Sequence, residues 1–485
     1  MKRPREHEEG PVRFGTSGVR GVLGDDFTFA GARALVGALA ESLAGSASTR
    51  PTRGSAARGG ARVVVAYDTR FLGGRLAQEA AAVLHAAGLR PCLAKGPTPT
   101  PAACLAVRRR RAAAGVIFTA SHNSPEYQGI KIVGPDGAAA ARSLTDRLEA
   151  ATARRLARGR EPARLEWTRT VDLNAPYRAH LGQLAAPLPA AGPGLRLVYD
   201  PLHGAGVGVL DRWLIEAGCT VSVLHGDPDP TFGGAAPDPG TARLAPLGAE
   251  VRRRRARFGL ASDGDADRFA VVDGRGRRIS ESDALALIID YLAGTRRLGR
   301  GVALSIATGS LPERVARAHG LPVLRVGLGF RALSTELLAG RADLAGEESG
   351  GFAWAPAAID KDGMLASALL TERLARDRRP VAQQLRSLHR RHGSSACGRL
   401  ALPATAARRA RLTALGQQTP ARIDGCRVLE ARHDEGLHCR LSDGGFVMWR
   451  ASGTEPVVRV YAEAGSRAGL RRRLRLAVRR LGRGG

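Results

Sequence analysis

Short β-branched runs alternate with helix-period segments along most of this chain, and that alternation restricts it to stacked α/β units. Strands are expected at residues 62–67, 114–119 and 129–133, with helices at 75–87 and 144–156. The pattern restarts with a strand at 195–200, a helix at 207–217 and a strand at 220–224, and again with a strand at 301–306 and a helix at 311–318. Glycine- and proline-rich joints lie near 185–194 and 233–240, and residues 45–60 read as a flexible Ser/Arg/Gly-rich surface insertion. After about residue 396 the order changes to one helix, several strands and a terminal helix, in which Leu470, Leu474, Val478 and Leu481 share one face. A chain of 485 residues exceeds what one core can organise. The simplest reading is an α/β protein of three related mixed α/β domains, over 1–160, 161–280 and 281–395, plus a smaller C-terminal α+β domain over 396–485.

Composition narrows the class. Hydrophobic residues make up 44% and charged residues 25%, which excludes wholesale disorder. The net charge is +29, which read alone points to nucleic acid or an anionic membrane. Yet only four of the 74 basic residues are lysines (Lys2, Lys95, Lys131 and Lys361), and the other 70 are arginines, a skew that reads as compositional drift. The arginine runs at 108–111, 252–255 and 471–473 fall on expected helices, and aromatics are only 4%, leaving little for base stacking. No signal sequence or transmembrane segment is visible, so a cytoplasmic location is expected. The six scattered cysteines form no CxxC pair, against both a zinc ribbon and a disulfide scaffold.

The strongest local signal is DGDADR at 263–268, between apolar strands. Asp263, Asp265 and Asp267 alternate along one tight loop and can converge on a hard, oxygen-seeking cation. An EF-hand is excluded, because Arg268 and Gly274 stand where its glycine and glutamate belong, and magnesium is the preferred metal. TASHNSPEYQGIK at 119–131 directly follows a strand, where ligand loops of α/β sheets sit. It carries Ser121, a candidate nucleophile or phosphate carrier, and Lys131, a rare lysine where a compact, movable charge would be useful. RASGTEP at 450–456 offers Arg450, Ser452, Gly453 and Thr454 as a cradle for a phosphate dianion. FGTSGVRG at 14–21 places Arg20 on a glycine-flexed turn, and GEESGG at 346–351 offers Glu347 and Ser349 to sugar hydroxyls. No Walker A loop, nucleophile elbow or complete dinucleotide fingerprint is present.

Together and in this order, these loops resemble those of the α-D-phosphohexomutases, the phosphoglucomutases and phosphomannomutases. The likeness runs from Phe14 to about Leu481, with further support from DPLHGAG at 200–206, TGS at 308–310 and KDG at 361–363. It implies four domains around a central cleft, each lending a loop. Ser121 matches the phosphoserine, and it and Asp263, Asp265 and Asp267 match the magnesium ligands. The implied reaction interconverts hexose 1-phosphate and hexose 6-phosphate through a hexose 1,6-bisphosphate, acting on a small phosphosugar with no nucleic-acid or membrane partner, as a monomer or dimer. Arg20 and Lys131 would assist the transferring group, Lys131 as general acid/base, with Arg268 nearby. Glu347 and Ser349 match the sugar loop, and Arg450, Ser452, Gly453 and Thr454 the distal phosphate site.

Four segments depart from the family pattern. Ser124 replaces the common proline and Gln128 the usual asparagine. VGLGFR at 326–331 stands where the specificity loop commonly reads Thr-Pro-x-Gly-Phe-Lys, and Gly351 where some mannose-type members have histidine. Glucose phosphates are therefore the favoured substrate, with mannose and glucosamine phosphates as alternatives. An arginine-rich nucleic-acid-binding protein is the competing class.

Overall fold

The computed structural model describes residues 14–15, 18–45, 60–159, 167–185, 194–452 and 456–482. Four sheets are built in chain order. The first has seven strands, ordered Phe14–Gly15, Gly18–Val22, Tyr127–Val133, Ala114–Phe118, Arg62–Tyr67, Arg90–Ala94 and Thr170–Val171. The second orders Arg278–Ile279, Phe269–Asp273, Phe258–Ser262, Arg196–Asp200 and Thr220–Val223. The third has Val323–Val326, Val302–Ser305, Leu344–Gly346 and Phe352–Trp354. The fourth is a six-stranded antiparallel sheet running from Ala396–Pro403 to Arg422–Ile423.

The first three sheets share one device that positions the chemistry. In each, two parallel strands are followed by a strand that turns back antiparallel beside the second. The pairs are Ala114–Phe118 with Tyr127–Val133, Phe258–Ser262 with Phe269–Asp273, and Leu344–Gly346 with Phe352–Trp354. The short connections hold, respectively, Ser121, the three aspartates, and Glu347 with Ser349. All three therefore emerge at the carboxyl ends of the parallel strands, where α/β sheets bind ligands.

Helices Glu281–Thr295 and Gly363–Arg376 explain how the units are held together. Both bury consecutive residues on every side, 284–289 in the first and 363–372 in the second, and twelve residues of the second are buried. They run through a continuous core that joins Leu105 and Tyr177 to Trp213, Phe258, Leu287 and Leu369. Each such leucine removed from water contributes about 1.5–3 kcal/mol. The C-terminal unit has its own core around Trp449, whose indole N–H donates to the Ala477 carbonyl at 3.0 Å. Phe446, Met448 and Tyr461 of that unit pack on Ile306 and Leu328 of the third.

Several expectations are corrected. Arg20 lies in a strand rather than on a turn, opposite Gly129 on the strand leaving the serine loop. The helix expected from 207 starts at Leu210, because Gly208 adopts φ 71°, incompatible with a helix. The C-terminal unit opens with a strand, Ala396–Pro403, before its helix Ala406–Gln417, since those eight residues pair along Val457–Ala464. In the terminal helix Arg467–Arg480 the buried face is turned toward Arg473, Leu474 and Ala477, with Val478 only half-buried. Arg473 is 2% exposed and bonded to Asp443 and the Glu463 carbonyl, and Arg472 pairs with Asp424. Arg253 and Arg254 likewise pair with Glu250, and Arg108 donates to the Ala357 carbonyl. These runs are stitched into their own surroundings. The segment at 233–240 is a loop of the second unit that brings Asp238 to the cleft. The insertion expected at 45–60 and the joint at 185–194 lie largely outside the described residues. Among the described residues, no helix is long and apolar enough to cross a membrane, and all six cysteines are free.

Candidate active site

A cavity of about 680 Å³ opens where the four units meet, lined among others by Arg20, Asn123, Arg268, Glu347, Ser349 and Arg450. Lys361, Asp238, Arg399 and Arg459 also line it, so it gathers positive groups around a few carboxylates and suits a phosphorylated polyol.

Ser121 adjoins this cavity through His122 and Asn123, and is itself 1% exposed. Its backbone takes φ 55°, a left-handed conformation that costs a non-glycine residue about 1 kcal/mol or more. Its surroundings enforce that shape. Ser121 N–H donates to Thr119 Oγ1 at 2.8 Å, and Thr119 Oγ1 donates to Asp68 at 2.6 Å. Arg70, buried under the loop, donates to the carbonyls of Ser121, Asn123, Ser124 and Tyr127 at 2.5–2.8 Å. The Arg70 guanidinium also lies 4.9 Å from the centre of the Phe232 ring, which comes from the second unit. Burial pushes the Asp68 carboxyl up to about 6 even beside Arg70.

Ser121 Oγ donates to Asp263 Oδ2 at 2.9 Å, which brings the serine and aspartate loops together. Asp263, Asp265 and Asp267 are fully buried, and each offers an oxygen within 4.8 Å of the others. Burial, then Asp267 and Asp265, push the Asp263 carboxyl well above the usual carboxylate range. Burial also opposes charge on Asp267, but Lys131, Lys361 and Arg268 outweigh it and hold that carboxyl low. Asp265 Oδ1 and Asp267 Oδ1 are buried without a hydrogen-bond partner. Three oxygen ligands with two orphaned acceptors fit a hard divalent cation, and the triad can hold one. Lys131 Nζ meets Asp265 at 2.5 Å and Asp267 at 2.7 Å, and although burial works against its charge, the two carboxylates keep the ammonium above the ordinary lysine range.

Of the other expected residues, Arg20, Arg268, Glu347, Ser349 and Arg450 line the cavity. Arg20 donates to Asn123 Oδ1 at 2.6 Å. Arg268 N–H donates to Asp263 Oδ1 at 3.1 Å, tying the aspartate loop to its own exit. Ser349 Oγ donates to Glu347 at 2.5 Å, so the sugar loop presents a preformed pair. Arg450 lines the cavity 3.6 Å from Glu435. Ser452 follows it, its N–H bonded to the Val457 carbonyl, and does not line the cavity. Gly453 and Thr454 lie outside the described residues. In the specificity loop Leu328, Gly329 and Phe330 face the cavity, whereas Arg331 lines a smaller pocket beside it. Gln128 is fully buried and donates to the Phe71 carbonyl, so the departure there serves packing.

Some residues of the site were not singled out from sequence. Thr100 donates its hydroxyl to Asp265 Oδ2, and His122 stands 3.4 Å from Ser121 Oγ. Burial, then Arg268 and Arg20, push the His122 imidazole well below its usual range and keep it neutral. Arg70 and Arg399 were hidden among seventy arginines, whereas Arg459 is the arginine that follows the RASGTEP segment. Lys361, 3.2 Å from Asp267, was marked in the sequence by lysine scarcity and by the KDG segment, but not as a site residue.

Known proteins resemble the chain along its length. Domain descriptions of phosphoglucomutase/phosphomannomutase match in order: alpha/beta/alpha domain I at residues 11–158, domain II at 175–276, domain III at 281–392 and the C-terminal domain at 409–479. A phosphoglucomutase/phosphomannomutase of Thermococcus kodakarensis is 29% identical, covering 96% of this chain and 98% of its own. A phosphoglucosamine mutase of Frankia casuarinae is 33% identical, covering 94% and 95%. The crystal structure of a putative phosphomannomutase from Thermus thermophilus superposes with a TM-score of 0.82 at 30% identity, covering 97% and 99%.

Proposed function

We propose that this chain, which belongs to the phosphoglucomutase/phosphomannomutase family and is a phosphohexomutase, carries its phosphoryl group on Ser121. The observation that carries this reading is the placing of Ser121 Oγ 2.9 Å from Asp263, beside a cavity that all four units line. Phospho-Ser121 gives its phosphoryl group to the free hydroxyl of a bound hexose monophosphate: the P–Oγ bond breaks and a P–O bond to the sugar forms. The product is a hexose 1,6-bisphosphate, which turns over in the cleft and returns its other phosphate to Ser121.

The residues divide this work. Lys131, held as an ammonium between Asp265 and Asp267, supplies the proton that Ser121 Oγ takes up and regains the one the attacking hydroxyl gives up. Arg20 and Arg268 face the transferring group. Glu347 and Ser349 grip sugar hydroxyls, and Arg450, which lines the cleft, holds the spectator phosphate that fixes reach and orientation, a role that the family motif alone extends to Ser452, Gly453 and Thr454. Asp263, Asp265, Asp267 and Ser121 would hold magnesium, which when bound offsets charge on the phosphoryl oxygens. The same reading sets domain boundaries near residues 160, 280 and 395, supported by the matched spans. It places the enzyme in the cytoplasm, which the six free cysteines support.

Glucose phosphates are the proposed substrates. A Cβ on Gly351 would come within 2.7 Å of Glu347 Oε1 and Lys361 Cδ, so a histidine there would displace the sugar-gripping carboxylate. Glucosamine phosphate is the second reading, favoured by relatives named phosphoglucosamine mutase at 30–33% identity. A coupled assay with magnesium and hexose 1,6-bisphosphate, run on glucose 1-phosphate, mannose 1-phosphate and glucosamine 6-phosphate, tests both. Fastest turnover on glucose 1-phosphate is expected; preference for glucosamine 6-phosphate establishes the second reading, and no turnover on any of the three overturns both.

A further inference from the structure

A second cavity, of about 300 Å³, lies between the first two units and shares no lining residue with the catalytic cleft. It is near the lower limit for small-ligand sites. Three cations line it, Lys95, Arg178 and Arg212, against one carboxylate, Asp172. That carboxylate is already engaged, since Asp172 Oδ1 accepts the N–H groups of Asn174 and Ala175 at 2.8 and 3.1 Å. Lys95 and Arg212 make no side-chain hydrogen bond or ion pair to any described residue, and the carboxylate paired with Arg178 is Glu216 at 3.8 Å. Lys95 is notable in a chain that uses lysine only four times.

The lining also leaves buried polar atoms unanswered. Thr69, 8% exposed, has an Oγ1 with no partner, and neither Arg178 Nε nor Asn174 Oδ1 has a hydrogen bond. Asn174 cannot turn its amide to hide the defect, because its Nδ2 donates to the Pro97 carbonyl at 3.0 Å. Buried orphans of this kind are rare and call for a partner. Their chemistry is mixed: the cations and the Thr69 hydroxyl ask for an anion, and Asn174 Oδ1 asks for a donor.

We propose that this cavity is a binding site for a small hydroxylated phosphate ester, with the phosphate among Lys95, Arg178 and Arg212 and a ligand hydroxyl on Asn174 Oδ1. The site adjoins the backs of both reacting loops. Thr69 sits between Asp68 and Arg70, which shape the serine loop, and Ala205, also in the lining, donates its N–H to Gly264 of the aspartate loop at 2.8 Å. Gly204 makes that approach possible, since a Cβ there would come within 2.7 Å of the Gly264 carbonyl oxygen.

Calorimetric titration of the full-length Ser121→Ala protein with glycerol 3-phosphate at low salt tests the proposal. Two classes of site are expected, the cleft and this cavity. Arg450→Ala should weaken one, and Lys95→Glu with Arg212→Glu should weaken the other by about tenfold or more. In an otherwise unaltered enzyme this exposed pair of changes should leave kcat intact, which verifies the fold. A single class of site, or an isotherm that the charge reversal does not change, overturns the proposal. Inorganic phosphate should bind the cavity several-fold more weakly than glycerol 3-phosphate, a gap that Asn174→Ala closes. Equal binding of the two probes before that substitution overturns the assignment of a hydroxylated ester.

Discussion

Replacing Arg70 with methionine should damage both stability and catalysis, although Arg70 does not line the cleft. The guanidinium holds four carbonyls of the serine loop and lies over buried Asp68, with Nε 3.3 Å from its carboxylate. A hydrogen bond from a charged group contributes about 1.5–3 kcal/mol net, but four bonds from one side chain are not additive. Breaking a buried ion pair by removing one partner costs about 3–5 kcal/mol, and we take that as the expected loss. Without this clamp the left-handed backbone at Ser121 loses its main support, and a misplacement near 1 Å lowers turnover about 100-fold. Urea unfolding at pH 7, followed by far-ultraviolet circular dichroism, measures the first effect, and kcat at saturating glucose 1-phosphate the second. Adding Asp68→Asn should recover part of the stability, because the stranded carboxylate disappears, without recovering kcat. A loss below about 1 kcal/mol, or kcat equal to wild type, would refute the role assigned to Arg70.

Other outcomes follow from the same structure. Asp265→Asn should lower the melting temperature in chelator, because it removes one of the two carboxylates that meet the buried Lys131 ammonium. It should also abolish most of the rise that magnesium gives the wild type, and an unchanged magnesium response would remove Asp265 from the ligand set. Burial, then Arg325 and Arg432, push the His438 imidazole down to about 4. The unfolded chain takes up this proton near pH 6.5 and the folded one only near 4, so stability should fall by about 3 kcal/mol as pH drops through that window. His438→Gln should flatten the acid limb of a pH–stability curve; an identical slope in both proteins would contradict the shift. Gly204→Ala should cost about 1–3 kcal/mol by pressing on Gly264, read by urea titration; a neutral result would show that the contact has slack.

What was legible in the sequence was local. The aspartate and serine loops follow expected strands, so alternation placed those two at strand ends, whereas the sugar loop was legible only in its residue types. The contacts that make those loops work are long-range. Arg70 and Thr100 reach Ser121 and Asp265 across 51 and 165 positions of chain, and nothing in their flanking residues marks them. Arginine abundance hid Arg399, which the sequence does not set apart although it faces the cleft. Periodicity placed Leu470, Leu474 and Leu481 against the C-terminal core but missed one position. It counted Val478 as core, whereas Arg473 takes a buried place because Asp424 and Asp443 meet its charge there. The strand at Arg20 was missed because its glycines read as a turn, while their small size is what lets the chain pair closely with the serine-loop strand; a Cβ on Gly18 would come within 2.3 Å of the Ile130 carbonyl oxygen.

The central claim is that Ser121 carries the phosphoryl group. Incubating the protein with magnesium and hexose 1,6-bisphosphate labelled in its phosphates, then mapping the label by peptide mass spectrometry, tests it directly. One label per chain is expected, on Ser121, chased off by unlabelled glucose 1-phosphate as fast as turnover, and absent from a Ser121→Ala protein that folds but does not turn over. Turnover that continues in Ser121→Ala, or label residing on another side chain, would contradict it.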